Sequence, residues 1–509
     1  MKTIHPSFLS VVSLTAIRYL FILSWVAFFS MGAAAKSSKP IIIAVSTEPS
    51  TLDGQAVIDR NSRVASGNIF ESLLDRNARG QIVSSLAEGY SSINENTWRF
   101  RLRKNIKFHN GEPFNGEAAA NSVNRIIDKA FKTQRSSYLE KIKGAKAVDE
   151  YTVDVMTDGV NTVLPVQMTQ LIMVPPKAAR DRSFGVNPVG TGPYKFVAWD
   201  RGREIRLAAN ESYWGQKPSV KEFSVRIIPD AQTQIAALQA GEIDLVLDLL
   251  PEQAKLAPKF ISVPATEFSY IGFNAHKKEM ADPRVRIAMN LAVDKVTLAK
   301  SLYQAHGRPM DAQHLAKGML GYNPNIKPFP YDPARAKQLL KEAGYGNGMD
   351  LVLHAPIGRY LKGEETSEFV AAQLKEVGIR VKVQLHEWNA YRKLGRISGT
   401  EANAFDLKYG WNSNEWFDAS RIVSHITCDG TSSKICNKWV DELMDRAIKT
   451  MDQKARDKLY QEVWATLNKD PHAIYLLQQN LIYGLAKRLE WQPRLDDEVR
   501  VATMRVATE

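Results

Sequence analysis

The sequence is poor in cysteine, in clustered charge and in long apolar runs. Only Cys428 and Cys436 occur in 509 residues. Metal binding there would need further ligands nearby, and His425 alone is close. Basic residues outnumber acidic ones, 67 to 55, yet they are dispersed, as in RFRLRKNIKF and WDRGREIRL, without a run of five. A nucleic-acid stripe is therefore not expected, and solvated faces account for the excess. No internal repeat or low-complexity tract stands out.

The one prominent apolar run, YLFILSWVAFFSM after Arg18, is about 13 residues long before Gly32, short of the roughly 18–20 that a membrane span needs. Lys2 and Arg18 precede it and GAAAKSS follows, the order of a secretory leader with cleavage near Ala35. No cysteine follows the run, so lipid attachment is not expected. Removing 1–35 takes two of the 67 basic residues and no acidic one, leaving 65 against 55 and a net charge of about +10. In an oxidising compartment the two cysteines are expected to pair, closing the short Gly- and Ser-containing loop CDGTSSKIC.

Signatures of catalysis are missing as well. His386-Glu387 begins like a zinc-protease helix, but Ala390 stands where the second histidine belongs. There is no G-x-S-x-G elbow and no G-x-G-x-x-G after a strand. The glycine-rich GVNPVGTGPYKF has Thr191 where a phosphate loop has lysine, and Pro193 removes a backbone donor before the chain runs on into a hairpin. A secreted hydrolase with a dispersed triad is the reading of a different class, since such triads leave no local spacing. No enzyme and no cofactor are expected.

What is present is an alternation of strand and helix patterns in a chain long enough for two to four domains. IIIAVS reads as a buried strand. RVASGNIFESLLDR has helical spacing that places Ile69, Leu73 and Leu74 on one face. KGAKAVDEYTVDVMT reads as a hairpin with its turn at Asp149-Glu150, and DAQTQIAALQAG as a helix from an N-cap Asp to Gly241. FSYIGFNAH is a strand, PRVRIAMNLAVDKVTLAKSLY a helix begun by Pro283, and DPARAKQLLKEAGYGNG a helix with a proline start and a glycine stop. DLVLHAP, SEFVAAQLKEVG and RVKVQLHEW form a βαβ unit. VDELMDRAIKTM and KARDKLYQEVWATLNKD are helices, and IYLLQQNLIYGLAK and VRVATMRV are strands. The expectation is α/β, in two lobes with crossings near 269 and 485.

Taken in order, STEPSTLD, LRKNIKFHNGEPFNGEAAA, NPVGTGPYKFV, NESYWGQKP, VRIIPDAQTQIAALQAGEIDLV, FNAHKKEMADPRVRIAMNLAVDK and YDPARAKQLLKEAGY resemble the large bacterial extracellular solute-binding proteins of family 5. These serve peptide, nickel and opine ABC importers, and the resemblance covers nearly all of 41–509. It implies a type II two-lobed binding fold: a first lobe over 36–268 with an inserted subdomain at about 81–187, a second over 269–484, and a return of 485–509 to the first. It further implies a periplasmic monomer that closes on a small peptide or related amino-acid conjugate and docks to membrane permease subunits. The glycine-rich loop then reads as scaffold.

Two segments carry the candidate site. QRSSY offers Arg135 and Tyr138 three apart, a cationic fork beside an aromatic plane suited to a carboxylate. FDLKYGWNSNEWFDAS gathers Trp411, Asn412, Asn414 and Asp418 at a strand end, aromatics to cover a ligand and polar groups to orient it. The resemblance adds detail that pulls two ways. Peptide-binding members place an aspartate three residues after the corresponding tryptophan to hold the peptide amine, whereas this chain has Asn414, so that Asp418 or Glu415 would have to substitute. Yet CDGTSSKICNKWVDELM resembles the disulfide loop of dipeptide-binding members. Nickel-binding members match at Arg135, Tyr391 and Trp411, with Tyr138 in place of a tryptophan; His425 is then the loose candidate for the metal-ligating histidine. Opine binding is a further alternative.

Overall fold

The computed structural model describes residues 39–57, 59–131, 133, 135–136, 139, 141–394, 405–428 and 436–507. The expected leader and Tyr138 lie outside the described residues. Among those described, no helix is long and apolar enough to cross a membrane.

An eleven-stranded sheet organises the chain, and two long strands carry it from one half to the other. These crossing strands, Lys259–Phe273 and Ala473–Leu485, lie antiparallel to each other. In the first half, Ile41–Val45 runs parallel between Glu222–Ile227 and Leu245–Val246. In the second, Met349–Pro356 runs parallel to Ile379–His386 and to Leu407–Ser413. Strands covered on both faces need apolar residues at successive positions, which is why IIIAV reads as a continuous run. Ile43, Phe70, Tyr194 and Phe223 build the first core. Ile271, Leu353, Val370 and Tyr409 build the second.

The first half carries a separate antiparallel sheet, ordered Ala87–Asn94, Thr97–Leu102, Thr152–Thr157, Ile142–Asp149. Helix Gly116–Ile127 packs on it over a core of its own that includes Phe100, Val123 and Val155. Asn115 starts that helix by accepting from the Ala118 N–H.

Three local readings change. Helix Arg60–Ile69 stops at Ile69, so Leu73 and Leu74 do not continue its face; Leu74 opens the strand Leu74–Arg76. The stop comes from the glycine-rich loop: Gly192 N–H donates to the Ile69 carbonyl at 2.8 Å, and a Cβ on Gly190 would stand 2.0 Å from that oxygen. Gly190 is therefore required by backbone approach, and Gly190→Ala is expected to destabilise by about 1–3 kcal/mol in chemical denaturation. The helix read from Pro283 is two, Pro283–Leu291 and Lys295–Tyr303, because Asp294 caps the second by accepting from Val296 and Thr297. VRVATMRV is mostly a 3-10 turn, Val501–Thr503, before the short strand Arg505–Val506. The side chain of Asn68 donates to Val499 O and accepts from Val501 N, satisfying backbone that a sheet would otherwise have to pair. Cys428 and Cys436 form the expected disulfide.

Beside the second core, helices Lys438–Lys449 and Gln453–Lys469 bury Trp464 against His314 and His472, and both histidine rings also meet Tyr475. Both histidines are buried, and burial pushes their pKa down, His472 to about 3 and His314 well below its usual value. Charge adds to it: His472 acts on His314, and Arg286 on His472. The folded state thus holds both rings neutral while unfolded histidines titrate near 6.5. Below that pH the unfolded chain binds more protons, so stability falls with pH, by up to about 1.4 kcal/mol per pH unit for each ring. Denaturation midpoints at pH 7.5 and 5 should show this slope, and His472→Gln should flatten it; an unchanged slope in that variant contradicts the assignment.

Candidate functional site

The pairing of the crossing strands is interrupted where they pass between the halves. Register shifts fall between Pro264 and Phe268 and again between Phe268 and Tyr270, leaving Ala265–Glu267 unpaired on the Ala473–Leu485 side. Bulges of this kind re-aim side chains beside binding sites. On its other edge the strand keeps register with Leu407–Ser413, Glu267 opposite Ser413 and Ser269 opposite Trp411. Alternation therefore puts Glu267, Ser413 and Trp411 on one face. Tyr409, Ile271 and Phe273 continue that face into the second core.

At the carboxyl ends of the parallel strands, loops converge on this face. After Met349–Pro356 come Arg359 and Tyr360, and after Ile379–His386 comes Trp388. Tyr360 stacks on Trp411 at 5.1 Å between centroids, and Trp388 on Tyr391 at 5.8 Å. The Trp411 Nε1–H is spent on the Tyr409 hydroxyl, 2.8 Å away, which fixes the indole plane. Arg359 is exposed above these rings, its guanidinium 5.6 Å from Tyr360 and 5.0 Å from Trp388. Among the described residues no carboxylate forms an ion pair with it.

In the first half, Arg60 stands at the start of helix Arg60–Ile69, and its charge acts on Glu267. Arg60 pairs with Asp248, just beyond the strand Leu245–Val246, and with Asp497 at 2.6 Å. The Tyr483 hydroxyl donates to Asp497 at 2.7 Å. Burial alone would lower the Arg60 pKa, but Asp248 and Asp497 overcome it, and the guanidinium holds its proton more firmly than usual. Glu267 senses both halves: its pKa is pushed up to about 7, first by burial and next by the charge of Asp497, against Arg60 and Arg359.

The residues expected from sequence are distributed unevenly around this space. Trp411 and Tyr391 belong to the aromatic shelf, though Tyr391 is buried with its hydroxyl donating to Tyr409 O. Asn412 points to the opposite face, its amide 2.8 Å from His314 Nδ1. Asn414 is fully buried; its backbone N–H donates to Thr266 O and its side-chain oxygen accepts from the Asp418 N–H. Asp418 is also buried, accepting from Ser420 N–H and from Arg456. Arg135, buried, donates to the carbonyls of Val57 and Gln170. It lines a cavity of about 230 Å³ with Arg63, Glu71, Arg500 and Glu415 among others, rather than the aromatic shelf. His425 is bonded to Arg421, and burial followed by that cation pushes its pKa down to about 4. Among the described residues, no group of three or more His, Cys, Asp or Glu is placed to hold a metal.

Arg359, Tyr360 and Trp388 are not among the site residues expected from sequence. A signal for them existed, because each directly follows a strand of the βαβ unit, and ligands of open α/β sheets gather at such carboxyl ends. Glu267 had none, since its bulge arises from pairing with residues some two hundred positions away.

Comparison with known proteins defines the class. The family profile of the bacterial extracellular solute-binding proteins, family 5, matches residues 81–433, and the chain belongs to that family. Its members are the substrate-binding components of ABC importers and work with permease subunits. Among curated relatives, the glutathione-binding protein GsiB of Pectobacterium atrosepticum is 27% identical over 474 residues, covering 89% of this chain and 91% of its own. GsiB of Escherichia coli K12 is 26% identical over 480 residues, covering 90% and 93%. The fold is shared with HbpA2 from Haemophilus parasuis, TM-score 0.83 at 23% identity over 92% of this chain and 100% of that one. It is shared also with DppA from Helicobacter pylori in complex with the peptide STSA, TM-score 0.72 at 24% identity over 92% and 98%. The protein is thus a solute-binding protein with two lobes joined by crossing strands.

Proposed function

We propose that the protein captures a small peptide or amino-acid conjugate between its two lobes, in the periplasm and as a monomer freed of residues 1–35, and delivers it to the permease. The observation that carries this reading is Arg359, exposed over an aromatic shelf and without an ion-pair partner among the described residues. A guanidinium so placed suits a carboxylate, while Tyr360 and Trp411 cover the organic body beside it. Of the residues nominated from sequence, Trp411 is taken as the one that touches ligand. Arg135, Asn412, Asn414 and Asp418 act from behind, holding loops. Relatives that bind glutathione support the chemical class, an amino-acid conjugate bearing carboxylates and an amine. Thermal-shift titration with glutathione and with di- and tripeptide mixtures tests the reading: at least one should raise the melting temperature in a saturable manner, and none doing so contradicts it.

A further inference from the structure

We propose that Glu267 is the residue that grips the ligand's ammonium group, so that the cleft selects solutes with a free amine. The inference rests on the peptide or conjugate reading above and deepens it.

Four observations converge. The unpaired stretch Ala265–Glu267 and the register with Ser413 set Glu267 on the Trp411 face, at the passage between the halves. Its carboxylate forms no ion pair and accepts no hydrogen bond among the described residues, although it is partly buried. Neighbouring cations do not satisfy it. Arg60 is held by Asp248 and Asp497, and Arg359 lies over the rings without bonding to it. Finally, Asn414 cannot take this part: it is fully buried, and its neutral side chain accepts from the Asp418 backbone. A carboxylate left without a bonded partner in a partly desolvated cleft is strained toward a cation that can donate to it. The ligand's ammonium is such a group, and a zwitterion would then lie between Glu267 and Arg359, with Tyr360 and Trp411 along its side.

The electrostatics agree. The charges acting on Glu267 are Asp497 and Asp248, which disfavour its ionisation, and Arg60 and Arg359, which favour it. With the Glu267 carboxyl titrating near pH 7, an arriving ammonium favours the ionised form and displaces a proton. Binding at pH 6–7 is thus expected to release a fraction of a proton and to tighten as pH rises through this range.

The test uses the whole exported protein, a mixture of di- and tripeptides, and the same mixture N-acetylated, with captured masses read by native mass spectrometry. Wild type should take up the free-amine mixture and reject the acetylated one. Glu267→Gln, which preserves shape, should bind the free-amine mixture at least tenfold more weakly and lose most of the discrimination, while Glu267→Asp retains part of it. If wild type binds peptides and the glutamine variant keeps the full preference for a free amine, Glu267 is not the anchor and the peptide reading stands. If wild type takes up neither mixture, both fall. If the glutamine variant no longer unfolds cooperatively, Glu267→Ser takes its place in the same assay, and a serine variant that keeps the full preference for a free amine overturns the proposal.

Discussion

Arg359→Ala is expected to weaken ligand binding by roughly tenfold to a hundredfold while leaving the unfolding midpoint nearly unchanged. The guanidinium is exposed and its contacts are with the faces of Tyr360 and Trp388, each worth on the order of 0.5–1 kcal/mol at an exposed site. Folding therefore gains little from it. A charge-assisted hydrogen bond to a carboxylate contributes about 1.5–3 kcal/mol, and each 1.4 kcal/mol is about a tenfold change in affinity. Arg359→Lys should restore only part, since an ammonium lacks the planar fork that meets both carboxylate oxygens. Titration calorimetry with whichever peptide or conjugate binds the wild type reads the difference. Equal affinities for wild type and the alanine variant would remove Arg359 from the site.

Asp418→Ala should produce the largest loss of stability, on the order of 3–5 kcal/mol, because it strands a buried cation. Asp418 and Arg456 are both buried and lie 3.4 Å apart. Arg456 also donates to the Thr162 carbonyl at 2.9 Å, tying helix Gln453–Lys469 to the segment just before Leu164–Gln167. The double replacement Asp418→Leu with Arg456→Met should recover a good part of the loss, as removing both charges leaves none unpaired. Denaturant unfolding of the two single variants and the double variant closes the cycle. A loss below about 1 kcal/mol for Asp418→Ala would mean that water reaches the pair.

Residues with a local pattern were the legible ones. The βαβ unit, the hairpin over Ile142–Thr157 and the capped helix Ala231–Gln239 announce themselves by period and by cap chemistry. The glycine-rich loop reads as scaffold, and two of its three glycines, Gly190 and Gly192, abut the end of helix Arg60–Ile69. Where one segment's ending depends on another distant in sequence, as Ile69 depends on Gly190 and Gly192, a spacing argument ran past the true boundary. The same holds for the site. Within WNSN the candidates Trp411, Asn412 and Asn414 lie close in sequence, but strand alternation sends Trp411 one way and Asn412 the other. Arg135 was nominated for its charge, yet its donors meet the backbone carbonyls of Val57 and Gln170. Such carbonyl partners leave no mark in a sequence, and neither does the bulge that leaves Ala265–Glu267 unpaired.

As proposed, an aromatic shelf, one open guanidinium and one unbonded carboxylate make a cleft for an amphoteric small molecule. Organic and elemental mass spectrometry of what the exported protein releases on denaturation tests it most directly. A stoichiometric compound bearing both an amine and a carboxylate, in the mass range of a di- or tripeptide or a conjugate such as glutathione, without stoichiometric metal, is the predicted result. Stoichiometric nickel with a polycarboxylate chelator, or a solute without an amine, would contradict it.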